Sequence, residues 1–223
     1  NKTRPEDKRN FTLLLKMLRK KLDEQSIKDG KEYLLTIAGA AGSSFVKNTE
    51  IGILHQYIDY ANIMTYDIHG NWDKYTDFNA PLYSASNSPQ SKWSVNSSVD
   101  AWLNAGLPVD KLVLGVPFYG YKFDKVANSN NGLHQSYTSG SSISYKEIAN
   151  SYLNKAGYRR YFNAESKVPY LFNGSTFISY DDEESMNLKA QYIKSKGLGG
   201  AMIWELSQDP NRVLLNSLYK GLN

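Results

Sequence analysis

Four short apolar runs, Tyr33–Ala38, Ala61–Tyr66, Leu112–Tyr119 and Ala201–Glu205, are each separated from the next by at least one stretch of helical periodicity. No other feature constrains the fold as much. A helix between two strands carries the chain back to its starting side, so successive strands run parallel, with right-handed crossovers. Strands in such a sheet are buried on both faces and read as continuous apolar runs, as Tyr33–Ala38 does. The chain therefore reads as α/β.

The helices fall between the runs. Thr3-Arg4-Pro5-Glu6 reads as a capping box, and Phe11, Leu14, Leu15, Leu18 and Leu22 then form one apolar helical face. Ile51–Ile58 is a short helix. A long polar loop covers Asp67 to Ser91, and a helix from Val95 to about Ala105 is closed by Gly106 with Pro108 beyond. Glu183–Lys196 is a helix ended by Gly197, and Asp209-Pro210 caps a last one through about Tyr219. The stretch from Lys122 to Ser179 breaks the alternation. It carries one helix near Tyr145–Leu153 and short strands at Tyr158–Phe162, Val168–Phe172 and Thr176–Ser179, the last two joined at Gly174. It reads as a small α+β insertion in a βα loop.

Composition narrows the function classes. The 223 residues can bury a substantial core, and the formal charge is +4. Its basic residues concentrate in the first helix (Lys8, Arg9, Lys16, Arg19, Lys20, Lys21), mixed with Glu6, Asp7, Asp23 and Glu24, as on a solvated helix face. No nucleic-acid-binding motif accompanies them, so nucleic acid is not an expected partner. No apolar run is long enough to span a membrane, and nothing reads as a signal peptide. The absence of Cys removes disulfides and thiolate metal sites. His55, His69 and His134 lack ligand spacing, so neither metal nor cofactor is expected. The 17 Tyr and 4 Trp are many, and flat rings with a polar edge suit either sugar stacking or a Tyr-rich core.

The segment from Ala61 to Trp72 carries the most chemistry. An apolar strand ends in Tyr66-Asp67, followed by a loop with His69, Gly70 and Trp72. A phenol and a carboxylate at a strand tip, beside an indole, would serve a carbohydrate site; an edge strand with core or rim aromatics fits the same residues. Asp67 and Glu205, both near strand ends, would be candidates for a glycosidase carboxylate pair.

Several segments together resemble family 18 glycoside hydrolases, the chitinase-like group. They are Met64-Thr65-Tyr66-Asp67 with His69-Gly70 and Trp72; Asn79-Ala80-Pro81-Leu82-Tyr83; Leu114 to Gly120; Tyr180-Asp181-Asp182; and Gly199 to Glu205. The resemblance covers essentially the whole chain. It implies an eight-stranded (β/α) barrel. The family's DxxDxDxE run, whose Glu is the general acid on the fourth strand, does not occur in these residues. The chain thus resembles the C-terminal half of a TIM (β/α)8 barrel, strands five to eight with the α+β insertion. By this reading, residues 1–121 run from helix four to strand seven, 122–179 are the insertion, and 180–223 run from helix seven to helix eight.

In this family the substrate's own N-acetyl group attacks C1, a substrate-assisted route. The resemblance implies that Tyr66 orients that acetamido group and that Asp67 contacts the same sugar or its neighbour. Met64 would pack beneath the site, Trp204 would floor the −1 subsite, Trp72 would stack on the aglycone side, and Tyr119 would line the pocket. Tyr121 departs from the pattern, since many relatives carry Arg there. The implied partner is chitin or an N-acetylglucosamine oligosaccharide, and the implied location is extracellular.

Other readings stay open. Met64 and Trp204 would serve equally as core, Glu205 as the partner of a cation, and Asp181 and Asp182 as helix caps. Asn10, Asn96 and Asn173 each open a glycosylation sequon. The function alternatives are a silent, lectin-like chitin-binding protein and a peptidoglycan- or spore-active member of the family. A half-barrel with open edges would also be prone to self-association.

Overall fold

A computed structural model describes residues 4–90, 92–155 and 157–223. In chain order its elements are α1 (Asp7–Asp29), β1 (Thr36–Ala40), α2 (Ser43–Lys47), α3 (Ile51–Leu54), β2 (Tyr60–Met64), α4 (Val95–Asn104), β3 (Leu112–Pro117), β4 (Tyr119–Asp124), β5 (Ser139–Ser144), α5 (Tyr145–Ser151), β6 (Arg159–Asn163), β7 (Val168–Phe172), β8 (Phe177–Ser179), α6 (Glu183–Lys196), β9 (Gly200–Trp204) and α7 (Val213–Leu222). They form two sheets. β1, β2, β3 and β9 lie side by side, all parallel. The second sheet, in the order β5-β4-β8-β7-β6, is antiparallel throughout. The parallel α/β reading therefore holds for the first sheet.

Part of the cover on the first sheet comes from α4 and α2, where Trp102 and Phe45 lie close over Gly39 of β1. Trp102 of α4 is fully buried, stacks on Phe45 at 5.2 Å, and donates through its indole N–H to Ala40 O. α4 is fastened at its start by a reciprocal cap: Ser97 N donates to Ser94 Oγ, and Ser94 N donates to Ser97 Oγ. Beneath it, Ile51, Leu54, Ala61, Ile63, Leu112 and Leu114 are buried together.

Several boundaries differ from the sequence reading. β1 starts at Thr36 rather than Tyr33, because Leu35 N donates to the Asp59 carboxylate instead of a neighbouring strand. β1 is also not covered on both faces: Ile37 and Gly39 are buried while Ala38 and Ala40 are exposed. Leu112–Tyr119 is not one strand. It breaks at Phe118, whose N–H donates to Trp204 O, and Tyr119 opens the second sheet. The helix expected over Ile51–Ile58 ends at Leu54, and α7 begins at Val213, with Asp209 accepting from Val213 N and Leu215 N across the intervening turn. α2 and β5 had no signature; Ser-Gly-Ser-Ser in β5 has the composition of a turn, yet it pairs along β4.

The apolar face expected on α1 is only partly used. Leu15 is buried with Thr12, but Leu14 and Leu18 stay 54% and 41% exposed. The helix meets the rest of the protein along a narrower stripe than its sequence offers. The capping role given to Thr3 lies outside the described residues; α1 begins at Asp7, whose carboxylate accepts from Arg4 N.

Candidate active site

Tyr66 and Asp67 lie just past the end of β2, at the C-terminal side of the parallel sheet. Tyr66 is buried. Its ring lies close over Gly115 of β3, where an added Cβ would stand 3.0 Å from the ring and 3.2 Å from the Met202 methyl. Only a residue without a side chain lets the Tyr66 ring and Met202 lie this near the strand. The Tyr66 hydroxyl points to Met202 Sδ at 4.0 Å. Burial, then the Asp67 charge, pushes the Tyr66 phenol up to about 12.

Asp67 turns away from the strand with φ 55°, and its N–H donates to Asn79 Oδ1 at 2.8 Å. Asn79 in turn donates to Tyr119 O, and its own N–H donates to Ser179 Oγ, so a buried amide ties the strand tip to both β4 and β8. The Asp67 carboxylate receives two phenols on one oxygen. Tyr119 OH donates to Oδ1 at 2.5 Å and Tyr121 OH at 2.7 Å. Burial, then these hydrogen bonds, raises both phenols well above the ordinary tyrosine value, so both remain donors.

The aromatic rings form a chain. Tyr66 meets Tyr119 edge-on at 6.0 Å, Tyr119 meets Tyr121 at 6.1 Å, and Tyr121 meets Trp72 at 5.4 Å. Trp72 is 56% exposed, its indole folded back over Gly70, where any Cβ would collide with the ring. Its loop is clipped down by His69, whose Nδ1 lies 2.9 Å from Asp73 Oδ2. His69 and His134 also flank the buried Asp77 at 3.8 and 3.5 Å. Burial pushes the Asp77 carboxyl up, but His134 and the His69 charge outweigh it, leaving Asp77 below its ordinary value. Asn71 and Tyr137 complete the clip, donating to Gly140 O and Asp73 O.

Met64, Tyr66 and Asp67 border a cavity of about 250 Å³ with Ala40, Ala41 and Gly42. The structure thus joins Tyr66, Asp67 and Tyr119 through direct contacts, reaches Trp72 through Tyr121, and sets Met64 beside Tyr66 and Asp67. Trp204 stands apart. It ends β9, opposite Pro117, 55% exposed and without a ring contact among the described residues. Glu205, next to it across a cis peptide bond, accepts from Ser207 Oγ and has no ion pair among the described residues. Of the two aspartates after Tyr180, Asp182 is the cap of α6, whereas Asp181 is buried against Lys189 at 2.6 Å. Sequence reasoning quoted Asn79 and Met202 only as members of longer segments and gave neither a role, and it marked Tyr121 only as a departure. A polar Asn in the midst of a buried Phe-Asn-Ala stretch was the available signal for Asn79.

Residues 1–209 match the family described as glycosyl hydrolases family 18. The chain belongs to this family. It is 48% identical to chitinase A1 of Niallia circulans over 238 residues, covering 100% of this chain and 34% of that protein. Among solved structures, a family 18 N-acetylglucosaminidase from Paenibacillus barengoltzii superposes with a TM-score of 0.94 at 40% identity, over 99% of this chain and 66% of that one. The structure of YKL-39 in the presence of chitooligosaccharides gives a TM-score of 0.88 at 28% identity, over 97% of this chain and 65% of that one. The mixed α/β fold is that of family 18 catalytic domains, and the chain spans about a third of the chitinase and two-thirds of the two solved chains.

Proposed function

We propose that the whole protein hydrolyses β-1,4-linked N-acetylglucosamine polymers with retention, by the substrate-assisted route, outside the cell. The observation that carries this reading is the strand-tip pair: a protonated, buried Tyr66 phenol beside an Asp67 carboxylate fixed by Tyr119 and Tyr121. In the reaction the acetamido oxygen attacks C1, and positive charge spreads over the oxazolinium ring. Tyr66 donates to the acetamido oxygen as it is placed for attack. Asp67, an acceptor-only carboxylate, takes a hydroxyl or amide N–H of the same sugar. Tyr119 lines the pocket, Met64 packs beneath it, Trp204 offers its exposed face to the −1 sugar, and Trp72 stacks on the aglycone side. The parallel order β1-β2-β3-β9, with helices between, supports reading this sheet as strands five to eight of an eight-stranded barrel, with residues 122–179 inserted before its seventh helix.

The proton donor of that route is not among these residues, because the acidic run that would supply it is absent from the sequence. A general acid contributes about 10²–10⁴-fold. The 223 residues alone should therefore release no product from a chito-oligosaccharide above a blank, while the whole protein turns it over. Product analysis by chromatography on both proteins tests this. Turnover by the short chain would move the chemistry to Asp67 and Glu205. Binding without turnover by the whole protein would favour the lectin-like reading, which the two exposed indoles, Trp72 and Trp204, also support.

A further inference from the structure

Tyr121 is placed on β4 opposite Ser142 of β5 and Ser179 of β8, with its ring buried. Its ring edge faces the exposed Trp72 indole at 5.4 Å and an interplanar angle of 84°. Its hydroxyl donates to Asp67 Oδ1, the oxygen that Tyr119 also holds. Asp67 Oδ2 receives no donor among the described residues, and Asp67 borders the cavity beside Tyr66. Two donors on one oxygen fix the plane of a carboxylate and leave the other oxygen for a ligand. A phenol does so without adding a positive charge beside the carboxylate, so the anion's pull on a ligand donor is not cancelled by a neighbouring cation.

We propose that Tyr121 is a positioning residue: it aims the Asp67 carboxylate at a hydroxyl or amide N–H of the bound sugar and links that carboxylate to the Trp72 plate. The inference rests on the reading of this cleft as an N-acetylglucosamine site. Packing alone would explain the ring of Tyr121 but not the second donor on Oδ1.

The test uses the whole protein and N-acetyl-chitotetraose. Tyr121→Phe keeps the ring against Trp72 and removes only the hydroxyl. Loss of one hydrogen bond to a charged group should lower kcat/KM about ten- to a hundredfold, with the folded state retained at the assay temperature. In an Asp67→Asn background the same substitution should have almost no further effect, because it acts through Asp67. An equal loss in both backgrounds, or no loss in either, overturns the proposal. Should the wild-type protein bind the tetrasaccharide without hydrolysing it, the hydrolase reading fails, and the same cycle is read on Kd with the same expectations. Crystal structures of the wild type and Tyr121→Phe give a ligand-free criterion. A carboxylate turned from its wild-type plane is expected, and an unmoved carboxylate overturns the proposal.

Discussion

A phenol donates a hydrogen bond only while it keeps its proton, and burial is what keeps it on Tyr66. An unperturbed tyrosine titrates near 10. Tyr66 is pushed to about 12 by burial and by Asp67, and Tyr170 reaches about 12 by burial beside Tyr161. A folded value above the unfolded one means that the stabilising contribution is complete below about pH 10 and is lost as pH rises through about 12. Urea denaturation of this chain should therefore show a falling unfolding free energy across that window. A flat profile would contradict the burial argument. For catalysis, Tyr66→Phe in the whole protein should lower kcat about a hundredfold while KM changes little, since the hydroxyl matters most as the acetamido oxygen attacks. A change confined to KM would show that Tyr66 binds rather than orients. Tyr66 and Asp67 were legible in the sequence because a strand tip is visible as the end of an apolar run. Tyr121 was not, because its role depends on Asp67 folding back at φ 55° toward a strand more than fifty residues later.

The helix α6 shows the same division at the scale of an element. Its ends were readable: Asp182 accepts from Ser185 N and Glu184 N at the start, and Gly197 closes the end at φ 71°. The buried pair at its start was not readable: Asp181 reads as a cap beside Asp182, and nothing in the sequence ties it to Lys189 eight residues on. Burial pushes the Asp181 carboxyl up and the Lys189 ammonium down, and their contact, with Ser185 Oγ donating to Asp181, resists both shifts. Removing one partner leaves a polar group buried alone, so Lys189→Met should cost about 3–5 kcal/mol. Replacing both by apolar residues, as in Asp181→Leu with Lys189→Met, should recover most of that loss. Chemical denaturation of the single and double variants measures the difference; equal losses would show that the pair does not act as a unit. The break between β3 and β4 was only faintly marked. One apolar run spans Leu112 to Tyr119, and its one local mark is Pro117, which has no N–H for the ladder and ends β3 just before the chain leaves one sheet for another.

On the scale of the whole molecule, the order of parallel strands was legible and the extent of cover was not. Periodicity shows which helix face is apolar, but not whether anything lies against it. In the parallel sheet β1 and β9 each pair on one side only among the described residues. Neither strand carries the charged or proline residues that protect an edge. On α1 Leu14, Met17, Leu18 and Ile27 are exposed, as is Leu34 just before β1, and so are Trp204 at the end of β9 and Leu206 after it. Unpaired edges flanked by apolar side chains are templates for another chain. These 223 residues, prepared alone, should therefore self-associate, and light scattering should give a mass above one chain that grows with concentration. Charged residues on the open face of α1, as in Leu14→Lys with Leu18→Lys, should shift that mass toward the monomer, because each adds a repelling charge where two copies would meet. A compact, concentration-independent monomer of the unaltered chain would refute this account, since both edges would then be stable in water without a partner.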